Sequence, residues 1–320
     1  MKLNPPISIK DAKKILSAPD QELKALMEHA RKVAEDIHGP NITFYVPGNS
    51  FPAISITGTK CWLLCKHCVG HYLKGMIPAT TPDEFRELCV RLWKRGAKGC
   101  LISGGYTRFG ALPIESFFEA IKYVKKNTKL LLNVHPGFLS RNSIMRLVQC
   151  GIDAASIDVV GSEETTKQVY GISKDPQSYD KLLCEFKTAG VPILAPHVCI
   201  GLHFGKLLGE LHALSIIRNH EPSVLVFIIF TPTRGTPMEA CSPPNIKDVI
   251  RLIVAARLMM PGVPISLGCM RPKGTYRRVL DEVCMRAGVN RIVIPSGVAL
   301  DVARDLGYEV LSKDLCCVFA

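Results

Sequence analysis

The sequence predicts an α/β fold, a (β/α)8 TIM-type barrel behind an N-terminal helical extension. Three observations predict it. Short apolar runs recur along the chain, nearly unbroken by polar residues, as parallel strands buried on both faces require. Amphipathic stretches with recognisable caps separate them. Eight such runs in 320 residues suit one barrel of ordinary size. A six-stranded open barrel is the alternative.

Residues 1–48 read as the extension, with helices in "SIKDAKKILS" and "QELKALMEHARKVAEDIHG". The barrel takes 49–307 and a tail 308–320. The strands are "AISITG" (53–58), "GCLISGG" (99–105), "KLLLNVH" (129–135), "AASIDVV" (154–160), "PILAPHVCIGL" (192–202), "VLVFIIFTPT" (224–233), "PISLGC" (264–269) and "RIVIPS" (291–296). The helix after the first strand opens with Thr81 as N-cap, Pro82 at its first position and acids in its first turn. "PIESFFEAIKYVKKN", "SRNSIMRLVQCG", "DPQSYDKLLCEFKTAG", "KLLGELHALSIIRNH", "NIKDVIRLIVAARLMM" and "GTYRRVLDEVCMRAG" follow in turn. No linker, low-complexity tract or repeat beyond the βα unit is present.

Composition narrows the class. Hydrophobic residues make up 47%, enough for a large core, yet no run reaches the 18 apolar residues of a membrane span. The opening "MKLNPPISIKDAKKIL" lacks the apolar centre of a signal peptide, so a cytoplasmic protein is expected. In that compartment the 13 cysteines are thiols or metal ligands rather than disulfides. The formal charge of +12 is scattered and not interleaved with aromatic residues, so no nucleic-acid partner is expected. A basic surface suits an acidic protein partner or a carboxylate substrate.

One stretch carries chemistry. "CWLLCKHC" sets Cys61, Cys65 and Cys68 at C-x3-C-x2-C, directly after the first strand. In a βα barrel that is the C-terminal mouth, where active sites lie. A structural zinc site wants four ligands and a disulfide framework wants pairs. The next cysteine is Cys89, well inside a helix. Zinc completed by His67 or His71 remains one reading. The other is a 4Fe-4S cubane held by three thiolates, which leaves one iron open to a small molecule.

Cys61, Cys65 and Cys68, followed by "SGG" (Ser103, Gly104, Gly105) at the end of the second strand, resemble the radical S-adenosylmethionine (SAM) superfamily. The resemblance implies that the open iron chelates SAM. It also implies that an electron from the cluster cleaves SAM to a 5′-deoxyadenosyl radical that takes hydrogen from substrate. By the same resemblance, Ser103, Gly104 and Gly105 meet the SAM amino group, and Asp158 contacts the ribose or methionine part. Ile200, Gly201 and Leu202 pack on adenine. His67 stands where relatives carry an aromatic residue.

The helical preface, the strand count and "FTPTRGTPM" (230–238) are similar to the biotin synthase branch. "FPAISITGTKCWLLCKHCVGHYLKGM", "DVVGSEETTKQVYG", "LGCMRP" and the tail "CC" resemble the two-component lipoyl synthases within it. That likeness implies sulfur insertion into an octanoyl chain on a carrier protein's lysine. The implied partners are an acidic octanoylated carrier, a paralogous radical SAM protein, and an electron donor such as ferredoxin or flavodoxin. A different reaction of the branch, such as a radical rearrangement, stays open, as does a non-enzymatic iron–sulfur or zinc protein.

Sulfur-inserting relatives hold a second iron–sulfur cluster. Cys269 ends the seventh strand, and Cys316 and Cys317 sit in the tail; these three are the candidate auxiliary ligands, with the tail pair as incidental thiols the alternative. Arg271 is a candidate for the SAM carboxylate, the substrate or the auxiliary cluster, because its fork suits bidentate pairing. Arg234 has a weaker claim to the same contacts. His135 and His197 end or lie in strands and are candidates to line the substrate cavity.

Overall fold

The computed structural model describes residues 3–320. Its centre is one sheet of eleven strands, every ladder parallel. In chain order they are β1 (Asn41–Tyr45), β2 (Ala53–Ser55), β3 (Ile77–Pro78), β4 (Gly99–Ser103), β5 (Leu131–Val134), β6 (Ala154–Asp158), β7 (Ile193–Ile200), β8 (Leu225–Ile229), β9 (Ile265–Leu267), β10 (Arg291–Val293) and β11 (Glu309–Lys313). The helices are α1 (Ile9–Leu16), α2 (Asp20–His38), α3 (Pro82–Lys94), α4 (Phe118–Asn127), α5 (Arg141–Gln149), α6 (Glu163–Thr165), α7 (Pro176–Thr188), α8 (Glu210–Ile217), α9 (Ile246–Met259), α10 (Thr275–Arg286) and α11 (Gly297–Asp305).

All eight strands expected from the sequence are present, as β2 and β4 to β10, in the barrel order. The ladder does not close. Its order runs β11-β1-β10-β9-β8-β7-β6-β5-β4-β2-β3, so β11 and β3 are edges of a half-barrel rather than neighbours in a ring. Two corrections follow. The stretch before residue 49 is not all helical, because "NITFY" forms β1 between β10 and β11. The stretch after 307 is not all tail, because "EVLSK" forms β11.

Local chemistry sets the helices. Thr81 accepts from the Glu84 backbone N–H while Glu84 returns to the cap, a complete capping box that starts α3. Asp175 caps α7 through Ser178 N at 2.9 Å, with Pro176 at the first position. α9 is buried along its whole length from Val249 to Met259. It is covered on its outer side by α1 and α2, where Ile7 N reaches Leu258 O at 2.9 Å. An otherwise amphipathic position therefore reads as apolar all round.

The apolar interior has two parts. The larger lies between sheet and helices. The smaller lies inside the barrel, where Ala154, Ala195, Val226 and Val293 meet Cys317, Val318 and Phe319. Residues 315–319 thus fold back into the lumen as a plug. Tyr45 Oη donates to Phe319 O at 2.7 Å, Arg291 Nη1 donates to Cys317 O at 2.8 Å, and the Phe51 and Phe319 rings lie 5.5 Å apart. Among the described residues no helix is long and apolar enough to cross a membrane.

Removing the Phe319 ring should lower stability by about 3 kcal/mol, the cost of emptying a buried aromatic site. Urea unfolding of Phe319→Ala is the check; an unchanged midpoint would show that the plug is not part of the core.

Candidate active site

The loop from Cys61 to Met76 leaves β2 at the mouth and is built by short backbone contacts. Cys68 N donates to Cys65 O at 2.8 Å, His71 N to Cys68 O at 2.8 Å, and Lys66 N to Val169 O at 2.9 Å. Leu64 and Val69 take φ of 43° and 42°, a left-handed conformation that costs a side-chain-bearing residue about 1–3 kcal/mol. Tyr72 and Thr233 join their hydroxyls at 2.7 Å and tie the loop to the one after β8.

The strand-ending glycines hold this loop in place. A Cβ on Gly105 would stand 1.9 Å from Lys60 O and 2.5 Å from Cys61 Cα. Its N–H donates to Thr57 Oγ1 at 2.6 Å. Only a residue without a side chain lets the two backbones approach so closely. Gly104 faces the cavity, and a Cβ there would meet Thr57 Oγ1 at 2.9 Å. Ser103 is buried, with its carbonyl taken by Ile56 N at 2.9 Å.

Cys61, Cys65, His67, Cys68, Gly104 and Asp158 line one cavity of about 150 Å³. Burial, then the neighbouring Cys61 and Cys68 charges, push the Cys65 thiol up to about 12. A Cys65 thiol so opposed to ionisation is a donor that a positive centre would relieve. Among the described residues, no three His, Cys, Asp or Glu side chains converge on a single metal ion. A cubane spreads its thiolates over separate irons, so a ring of thiols around a cavity fits it better than a single ion. Cys61, Cys65 and Cys68 would hold that cluster. His67 is buried with Nδ1 lacking a partner and its ring 5.7 Å from Tyr170, and burial lowers it to about 4. It offers the cavity a neutral ring and a free nitrogen.

Asp158 ends β6 opposite His197 of β7. Its carboxyl opens onto the cavity but is ringed by protein, and this burial raises its pKa, with His197 and His67 opposing. His197 Nδ1 meets Ala195 O at 2.9 Å; the carbonyl accepts, which leaves Nε2 free. The His135 and His197 rings lie 5.5 Å apart, edge to face. Burial, then His197, depresses His135 to about 3.

Other expected residues lie elsewhere. Ile200 and Leu202 turn into the layer between sheet and helices, and Gly201 packs on the Pro244 ring while its N–H donates to Glu210 Oε1 at 2.9 Å. None of the three lines the cavity. Arg271 is corrected: it is a buried strut, not a cofactor contact. Its guanidinium pairs with Asp281 at 3.0 Å and donates to Gly268 O and Val293 O at 2.7 Å each and to Ile294 O at 3.2 Å. No donor remains for a ligand. Arg234 is exposed.

Cys316 and Cys317 are corrected from tail to lumen. The Cys316 sulfur accepts from Asn133 Nδ2 at 3.6 Å, and Asn133 is held by Ser156 Oγ at 2.9 Å. The Cys317 thiol, then nearby backbone N–H groups, lower Cys316, while the hydrogen bond to Cys316, then burial, raises Cys317. Cys269 lies just beyond β9 and is exposed to solvent, though crowded by protein; that crowding, then the Cys316 charge, raises its thiol. The sequence reasoning passed over Asn133, Ser156 and Tyr106. The first two are polar residues in otherwise apolar strands, a signal that could have marked the lumen face.

With this geometry in place, the comparisons identify the class. Residues 55–206 match the Radical SAM superfamily. The chain carries a radical SAM domain over those residues, just under half of its length, and is similar to biotin synthases over most of it. It is 23% identical to a biotin synthase of Persephonella marina over 97% of this chain and 93% of that one. It is 28% identical to a biotin synthase of Christiangramia forsetii, over 56% of this chain and 49% of that protein, about half its length. Among solved structures it shares its fold with methylornithine synthase, at 17% identity, TM-score 0.67 and coverage of 95% and 94%. It shares it also with the FeFe-hydrogenase maturase HydG from Carboxydothermus hydrogenoformans, at 16% identity, TM-score 0.69 and coverage of 95% and 76%.

Two outcomes test the site. Gly105→Ala should displace the cysteine loop, so that iron bound after anaerobic reconstitution drops several-fold. Iron content equal to wild type would separate the glycine from the loop. His135 is held neutral in the fold and titrates near 6.5 when unfolded, so the unfolded state takes up its proton first as pH falls. Stability should therefore decline from about pH 6.5 towards 4, and His135→Gln should flatten that slope in urea midpoints.

Proposed function

We propose that this protein inserts sulfur into an octanoyl chain carried on the lysine of an acidic carrier protein, as a radical SAM sulfurtransferase. The single observation behind the reading is the return of Cys316 and Cys317 to the lumen, where the Cys316 sulfur meets Asn133, whose partner Ser156 lines the cavity of Cys61, Cys65 and Cys68, with Cys269 just beyond β9. A carbon radical must meet sulfur at once, in a place that excludes water. The half-barrel supplies such a place, floored by the plug and walled by apolar strand residues. A rearrangement would have no use for three further thiols there.

The chain's own residues divide the work. Cys61, Cys65 and Cys68 would hold the SAM-binding cluster, and Cys269, Cys316 and Cys317 a second one. A cluster at the first site supplies the electron that cleaves bound SAM. The Cys317 thiol first, then the backbone near Val318 and Asn133, favour the anionic, ligating form of Cys316. His67 and Gly104 shape the cavity wall, and the Asp158 carboxyl offers a hydrogen bond to a ligand hydroxyl or ammonium. A paralogous radical SAM protein, and a ferredoxin or flavodoxin, complete the proposed system.

The reconstituted protein should bind about eight irons, four per cubane, and Cys269→Ser with Cys316→Ser about four. Given SAM, reductant and an octanoylated carrier peptide, wild type should yield a peptide in which C–H has become C–SH. The double variant should still form 5′-deoxyadenosine and leave the peptide without sulfur. Four irons in wild type, or sulfur added by the double variant, would overturn the assignment in favour of a one-cluster reaction of the same branch.

A further inference from the structure

The sheet ends in two edges, and the chain treats them differently. β3 is two residues long. Ala79 N donates to Ser55 O at 3.0 Å, so position 78 faces outward, and there Pro78 has no N–H to offer a further strand. β11 is five residues long, has no proline, and pairs on one side only, with β1. From Glu309 to Ser312 every residue is exposed, Val310 and Leu311 by 39% each. A strand covered on one face alternates buried with exposed. β11 does not alternate, so both of its faces stand open as well as its outer edge.

The ladder to β1 fixes which backbone groups point outward. Glu309 N donates to Pro40 O at 3.0 Å, and Lys313 O accepts from Val46 N at 2.8 Å. Along a strand the backbone groups of every second residue point to the same edge. Glu309, Leu311 and Lys313 therefore face β1, and the N–H and C=O of Val310 and Ser312 face out. Four hydrogen-bonding groups on an open edge are a template for another strand.

The segment "EVLSK" fits itself. A second copy laid antiparallel, with a two-fold axis at Leu311, sets Val310 opposite Ser312 of the other copy. Each such pair exchanges two backbone hydrogen bonds through the groups that face out. Leu311 meets its own counterpart. Glu309 stands opposite Lys313 twice, at the non-hydrogen-bonded positions where side chains lie closer. Among the described residues neither Glu309 nor Lys313 makes an ion pair within the chain. Moving the axis one residue either way sets Glu309 or Lys313 against Leu311 and loses both pairs.

We propose that β11 joins two copies of this chain edge to edge, as a two-fold antiparallel strand pair centred on Leu311. The interface is closed: once both β11 edges are used, only the proline-bearing β3 edges remain, and assembly stops at the dimer. A strand pair of this length covers less than a standard interface, so the dimer exchanges with monomer. β11 runs directly into the plug that carries Cys316 and Cys317. Asp314, at their junction, is held by Ser50 Oγ at 3.0 Å and by Lys98. Pairing therefore steadies the strand from which the plug hangs.

The test is sedimentation velocity of the full chain, reconstituted with iron and sulfide, over a concentration series. Wild type should pass from monomer to dimer, and hydrogen exchange in the 309–313 segment should slow as it does. Ser312→Pro removes a donor that β1 does not use, a change an edge strand tolerates. It should weaken association roughly tenfold or more, because the symmetric pair loses two hydrogen bonds. Glu309→Lys should also weaken it, by setting lysine against lysine twice, and Glu309→Lys with Lys313→Glu should restore it. If circular dichroism shows that Ser312→Pro does not fold, the charge variants decide. Wild type that stays monomeric throughout the series would overturn the interface. So would a dimer that Glu309→Lys leaves unweakened, or a double exchange that restores nothing.

Discussion

The structure depends on one close backbone contact. Gly105, where β4 ends, lies against Lys60 and Cys61 with no room for a Cβ. That contact fixes the start of the cysteine loop against the sheet. Alternation does the rest: with Cys61 pinned, Leu63, Cys65 and His67 fall on the cavity side. Trp62, Leu64 and Lys66 fall on the water side. Leu64 and Val69 sit in unfavourable φ to keep the three thiols gathered in that arrangement.

The second organising element is the plug. Residues 315–319 pack in the barrel's interior and bring a cysteine pair with them. The polar row of Asn133, Ser156 and Cys316 shows how a lumen tolerates polarity: each group finds a partner inside it. Arg271 follows the same rule in the wall. Its donors all go to Asp281 and three carbonyls, and it joins the ends of β9 and β10 to α10.

The strands of the barrel were legible because each is an apolar run long enough to stand out, as "LLLNV" and "VLVFII" do. β1 was not, since "NITFY" lies between two prolines and carries polar residues facing β11, an edge. β11 itself reads as surface because it is one. The cysteine triad and the glycines could be read because together, in that order on successive strands, they resemble a known family. Arg271 misled, since a guanidinium near a barrel mouth looks the same in sequence whether it faces a ligand or a buried Asp281 ten residues on. The tail misled because nothing local in "LCCVF" says which surface it will cover; its apolar end, Val318 and Phe319, was the available hint.

The unclosed ladder has a consequence for how such a chain can diversify. In a ring of strands, interior width is set by strand number and stagger, and changing it means re-registering every pair. Here β3 and β11 are free of one another, and five residues packed inside do the spacing. Bore is then a property of one short peptide. Substitutions at Val318 or Phe319 can widen or narrow the chamber while every inter-strand hydrogen bond stays as it was, so new guests can be tried without renegotiating the scaffold.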